Sequence, residues 1–378
     1  MAGFGQDELT LVEFVLHPDQ ISSLVYGRTF QDSMRSEMAS QLYAATDQLK
    51  DGILAFANAL LANKHATVAE NLNDPSCQRG SRALQKLATI QTTSIEDARA
   101  ALALAMMIIT YNDITIGAST LPIARSALLQ ALPWKQQLIR ATLEDTDPNI
   151  ICILFVEVTE CIVLGETPVF RYEPSQENTI VDRYYGVCPE LLPFLYDVCL
   201  LCNSVRSGTA SWIDVSLGIE WISSLVDQWS PEAALQLRDE IVVDRDEKQH
   251  FLLQAKAFKS AVQLLLLQIQ RTPLGDALAH DKAVQLHAEI LDVMEQGVDR
   301  PNYVLFPYFV ACLDNFNVDE DLESPLLETM NKISNGLAPR ACQSMAAGLR
   351  HIWANRRRRP ALPWFECIDQ GLSVAMGP

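Results

Sequence analysis

Two carboxylates, Glu157 and Glu160, interrupt the run Ile150-Ile-Cys-Ile-Leu-Phe-Val-Glu157-Val-Thr-Glu160-Cys-Ile-Val-Leu164, which is otherwise apolar nearly all round. Three residues apart, they share one face of a helix. An unpartnered buried carboxylate costs several kcal/mol, so each must meet a cation, share a proton or border a water-filled cavity. Magnesium takes oxygen ligands and accepts one or two carboxylates together with substrate phosphates, so the pair suits half of a metal–diphosphate site. The plainer alternative is that they pair with an arginine or cap a neighbouring helix. Asp113, in Tyr111-Asn-Asp113 at the end of an Ala/Met-rich stretch, is a third candidate Mg2+ ligand. Asp197 and Asn203, in Tyr196-Asp-Val-Cys-Leu-Leu-Cys-Asn203, are candidate substrate-binding groups. Lys256 and Lys259 are candidate catalytic residues, since lysine is a point-charge partner for phosphate. Their alternative is a solvated helix face shared with Ser260, Gln263 and Gln270. Trp212, Trp221 and Trp229 read as core side chains before they read as aromatic walls for a carbocation.

Other chemistries are missing from the pattern. There is no glycine-rich phosphate loop, no HExxH, no GxSxG elbow and no DDxxD, and the six histidines have no ligand spacing. Nine cysteines lie mostly in apolar stretches, an odd number without framework spacing that suits reduced, buried thiols. The one CxxC, Cys199-Leu-Leu-Cys202, sits in a Leu-rich run and reads as helix core, because structural zinc needs two more ligands at matching spacing.

The elements that must position these residues are helices. Ser94-Ile-Glu-Asp97 is a capping-box-like start to a helix through Thr110, built of strong helix formers. Ser230-Pro231-Glu232 starts another, with proline at the first helical position. Phe251 to Arg271 follows the 3.6-residue period of a long amphipathic helix. Arg356-Arg-Arg-Arg359 before Pro360 ends a helix where cations favour the dipole, with an import signal or anion clamp as the other readings. Asn71–Gly80, Glu144–Asn149, Arg171–Arg183 and Asp314–Pro325 read as loops. Alternating strand patterns are scarce, so the expected fold class is all-α, a single large multi-helix domain.

Composition bounds the partners. The chain has 378 residues, 49% of them hydrophobic, enough for a large core. Asp and Glu number 47 against 29 Lys and Arg, a net charge of −18 that repels nucleic-acid phosphates and anionic membrane surfaces. The first eight residues are acidic where a leader would be basic, and the longest apolar run, Ala100 to Ile109, is short of a membrane span. The expectation is a soluble cytoplasmic protein without direct nucleic-acid or membrane contact; its oligomeric state is not encoded in any pattern found.

Three ordered segments carry a family resemblance. Gly165-Glu-Thr-Pro-Val-Phe170 with Val181-Asp-Arg-Tyr-Tyr-Gly-Val-Cys-Pro-Glu-Leu-Leu-Pro-Phe-Leu195 resembles the middle of the fungal-specific transcription-factor domain found behind binuclear zinc-cluster modules. Val304-Leu-Phe-Pro-Tyr-Phe-Val-Ala311 looks like that family's late Phe-Pro helix, and His351-Ile-Trp-Ala-Asn355 with Pro363-Trp364 looks like its closing tryptophan segment. The resemblance implies residues 1–24 as an N-terminal extension, an all-helical domain over 25–378 and an internal apolar cavity. The six-cysteine zinc cluster is absent from this sequence, which sets direct DNA binding aside. Two functions follow. The first expectation is a Mg2+-dependent sesquiterpene cyclase acting on farnesyl diphosphate, because the chain also resembles the unconventional humulene-forming cyclases that lack the usual aspartate motif and use an essential lysine, a role Lys256 or Lys259 would match. The other is a finger-less transcriptional regulator, nuclear in that case, that senses a small hydrophobic effector or partner protein.

Overall fold

The structure is a computed structural model that describes residues 3–25, 29–64, 75–143, 149–174, 180–236, 243–274, 277–295, 304–313, 323–334, 336–359 and 362–368. Among these residues the chain is all-α, with no strand and a single isolated β-bridge between Asp182 and Gly186. The helices run in the order α1 Gln6–Val15, α2 Pro18–Leu24, α3 Gln31–Ala44, α4 Thr46–Lys64, α5 Pro75–Thr89 and α6 Ile95–Thr115. They continue with α7 Leu121–Ala131, α8 Lys135–Leu143, α9 Asn149–Leu164, α10 Leu192–Ser207, α11 Trp212–Gln228 and α12 Pro231–Gln236. The rest are α13 Arg245–Leu274, α14 Ala277–Glu295, α15 Leu305–Cys312, α16 Glu323–Ile333, α17 Pro339–Arg358 and α18 Trp364–Cys367.

Two helices organise the packing. The apolar run predicted to be central is α9, in which every residue from Ile150 to Val163 is buried. With no polar stripe to turn to water, it must be surrounded, and α6, α7, α8, α10 and α18 pack around it. The second is α6, started by the predicted capping box: Ser94 Oγ accepts from the Asp97 amide (3.1 Å), and Asp97 accepts in return from the Ser94 amide (3.1 Å). Its alanines permit close approach by α4, α5, α7, α9 and α17. The long predicted helix is α13, extending to both sides of the expected range. Cys199 and Cys202 are buried free thiols of α10, as the Leu-rich setting implies. Cys188–Ser207 is long and apolar enough to cross a membrane by length and composition, and half of it is buried against the fold (50%), the setting of a core helix.

Several expectations change. Trp212 and Trp221 are exposed (43% and 66%), because the buried stripe of α11 is Val215, Ile219, Ile222 and Val226 on its other side. Trp229 is half-buried and donates from its indole to Glu190 (2.6 Å). The loop expected over Asn71–Gly80 gives way at Pro75 to α5, where proline occupies the first turn. Val12 and Val15 of α1 and Ile21 of α2 are buried in the same core as the later helices. Of the arginine run, Arg356 is buried and donates to the Leu313 carbonyl (2.9 Å), while Arg357, Arg358 and Arg359 are exposed at the end of α17.

The late segments close the molecule. The Trp353 indole donates to the Cys312 carbonyl at the end of α15 (2.8 Å), and that of Trp364 donates to the Ile162 carbonyl of α9 (3.0 Å). Both buried indole donors are satisfied, and they tie α17 to α15 and α18 to the central helix α9.

Candidate functional site

A pocket open to solvent lies beside α6, between α3 and the Asp182–Gly186 loop. Four of the nine methionines line it: Met34 and Met38 from α3, Met106 and Met107 from α6. Unbranched, polarizable thioethers adapt to ligands of varied shape, so such a lining favours apolar molecules without demanding one outline. Polar groups interrupt this lining, Glu37, Gln41, Thr110, Asp113, Asn149 and Arg183 among them, and could orient a ligand.

Asp113, on the last turn of α6, is one of them. It is 2% exposed, and its Oδ1 has no hydrogen-bond partner among the described residues. Burial, and then repulsion from the Glu160 carboxylate, pushes its pKa well above the usual carboxylate range, against a hydrogen bond with the Asn112 side chain. In the neutral form it can donate a proton to an acceptor on a ligand.

Arg183 enters from the loop. Asp182 Oδ1 accepts from the amides of Tyr184 (2.8 Å) and Tyr185 (2.9 Å), and the Asp182 and Gly186 backbones exchange hydrogen bonds (2.7 and 2.9 Å). Gly186 sits at φ +53, and a Cβ there would lie 2.6 Å from Phe251 Cδ1, so the turn requires glycine twice over. The ring of Tyr185 stacks on Phe155 of α9 (3.9 Å between centroids). Held this way, Arg183 lies buried at the pocket and pairs with Glu37 of α3 (3.0 Å). The aspartate–arginine–tyrosine segment was legible as a motif; the pairing with Glu37, 146 residues distant, left no signal in the sequence.

The two carboxylates of α9 go to different partners. Glu160 is fully buried and accepts from the amides of Thr120 (2.8 Å) and Leu121 (3.1 Å) and from the hydroxyls of Ser119 and Thr120, so it caps the N-terminus of α7. Burial raises its pKa, while those four donors pull it down. Glu157 accepts from the Val169 amide (2.7 Å) and faces Arg125 Nε (3.7 Å). Burial raises it to about 7, opposed chiefly by the Val169 amide and the Arg125 charge. Arg125 also pairs with Glu166 and donates to the Thr167 carbonyl (2.9 Å). Both alternatives to metal binding, an arginine partner and a helix cap, are thus present in one helix.

The remaining candidates lie elsewhere. Lys256 is exposed and pairs with Glu232 of α12 (3.2 Å). Lys259 donates to the carbonyls of Asp227 (3.2 Å) and Trp229 (2.7 Å) at the C-terminus of α11. Asp197 accepts from Arg171 (3.0 Å), and Asn203 is exposed on α10. Asp113 and Glu160 are close enough to repel, but neither lysine, nor Asp197 or Asn203, lines the pocket. Among the described residues, no group of three or more His, Cys, Asp or Glu could hold a metal ion.

No curated protein and no solved structure matches the chain. The fungal specific transcription factor domain family matches residues 51–377, which takes in the Asp182–Gly186 loop, the Phe-Pro helix α15 and the closing tryptophans. With a match over most of its length, the chain belongs to the fungal specific transcription factor domain family.

Proposed function

We propose that this chain is a regulator of transcription whose methionine-lined pocket senses a small apolar effector. The observation that carries this reading is the pocket itself, where four methionines meet a buried carboxyl, Asp113, whose Oδ1 has no hydrogen-bond partner among the described residues. An effector filling that space would bridge α3 and α6 and the Arg183 loop, and so couple its binding to the relative position of three elements. A domain of net charge −18 is unsuited to gripping DNA phosphates, so promoter contact would fall to another segment or a partner protein, in the nucleus.

The cyclase reading draws less support from the same geometry. Its farnesyl diphosphate would need Mg2+ on Glu157, Glu160 and Asp113, yet the oxygens of Glu160 already accept four donors of the α7 cap. Its lysines face α11 and α12, with Lys259 engaged by backbone carbonyls.

The test is a fluorescence titration with the apolar probe 1-aminoanthracene, on the full chain and on Met106→Trp, which fills the pocket from a half-buried position. Saturable binding weakened about tenfold in the variant is expected; equal binding by both proteins would overturn the pocket. In parallel, incubation with farnesyl diphosphate and Mg2+ is expected to yield no hydrocarbon by gas chromatography–mass spectrometry. A chelator-sensitive product would make the chain a cyclase instead.

A further inference from the structure

Helix α11 has two apolar stripes, and the fold uses one. Val215, Ile219, Ile222 and Val226 are buried against the body of the protein, where α10 and α13 pack on the helix. On the opposite side Ile213, Leu217 and Trp221, spaced by four residues, are 73%, 59% and 66% exposed. At 100° per residue these three fall within about 80° of one another, a continuous ridge two turns long. Scattered exposed apolar residues are ordinary, but a ridge of three on one helix is the shape of an interaction surface.

Charge selects the occupant. Along its whole length α11 carries Asp214, Glu220 and Asp227 and no Lys or Arg. Glu220 and Asp227 lie beside the ridge on one flank and Asp214 on the other, and all three are exposed. A second copy would bring the same acidic rim and another charge of −18 against this one, and an anionic membrane would be repelled likewise. We propose that the solvent face of α11 docks an amphipathic helix of another protein, whose apolar side chains seat on Ile213, Leu217 and Trp221 and whose flanking lysines or arginines meet Asp214, Glu220 and Asp227. Apolar contact supplies the anchor, with Trp221 at its end, and the acidic rim rejects helices of the wrong charge. The site is separate from the methionine pocket and stands whether or not that pocket takes an effector.

Three fluorescein-labelled peptides test it by anisotropy against the full chain: a helix with leucines at four-residue spacing flanked by lysines, the same leucines flanked by glutamates, and the lysine peptide with its leucines scrambled. Only the first is expected to bind, with affinity falling as salt is raised. The triple variant Ile213→Ser, Leu217→Ser, Trp221→Ser is expected to weaken it about tenfold with its circular dichroism and thermal midpoint unchanged. Should that variant fold poorly, Glu220→Lys, a change of one exposed side chain, is expected to weaken the lysine peptide about threefold and admit the glutamate peptide. Equal binding of leucine-spaced and scrambled peptides, or no loss in either variant, would overturn the site. So would ridge-dependent dimerisation in sedimentation without peptide binding, which makes the occupant a second copy. Ridge-dependent binding to phosphatidylcholine vesicles would make the face a membrane contact and overturn it equally.

Discussion

Glu160 on α9 accepts the backbone amide of Thr120 (2.8 Å) from a position 40 residues along the chain, and the pair joins the central helix to the start of α7. Thr120 itself makes no side-chain cap to α7, so the buried carboxylate takes the place of the usual local one. Replacing Glu160 by alanine removes the acceptor of two amides and two hydroxyls, and leaves the buried Thr120 amide and hydroxyl without it. The expected loss is about 3 kcal/mol of stability, read as a lowered thermal midpoint, with glutamine losing less because its amide oxygen still accepts.

Glu157 makes stability depend on pH. Its folded pKa, about 7, lies above the ordinary 4.5, so the native state holds a proton that the unfolded chain has released between those values. The linked stability is fully present below pH 4.5 and is lost as pH rises through 7, on the order of 3 kcal/mol across the window. Glu157→Gln imitates the protonated form. Its thermal midpoint is expected to decline less than the wild type's between pH 5 and pH 8, measured in matched buffers.

Gly186→Ala places a methyl group at φ +53 and 2.6 Å from Phe251 Cδ1. The expected cost is roughly 2 kcal/mol or more. Because the same turn carries Arg183 and Tyr184 into the pocket, 1-aminoanthracene affinity should fall together with the thermal midpoint.

The two lysines separate in the opposite order from their exposure. Lys259→Ala removes two hydrogen bonds to the end of α11 and should lower stability by about 1 kcal/mol. Lys256→Ala removes an exposed ion pair to Glu232 and should change it by less than about 0.5 kcal/mol. Paired denaturant titrations measure both, and neither variant should alter probe binding, since neither residue lines the pocket.

The sequence by itself determined several of the helices. The apolar run Ile150–Leu164 left α9 no exposed face, Ser94 with Asp97 set the start of α6, and Pro231 marked that of α12. These follow from local backbone chemistry and from the 3.6-residue period, both of which act within a few turns. It also carried the family, through the loop at Asp182 and the closing tryptophans. What it left open was the direction in which each polar side chain turns. Glu157 and Glu160 share a helix face, yet one reaches Arg125 and the Val169 amide and the other caps α7. Trp221 has the side chain of a core residue, but the buried stripe of α11 lies on the opposite side of the helix. The Glu37–Arg183 pair and the four pocket methionines come from segments far apart in the chain. Partners of that kind are chosen by which helices pack together, a long-range outcome that no local spacing encodes, and the tertiary structure alone decided them.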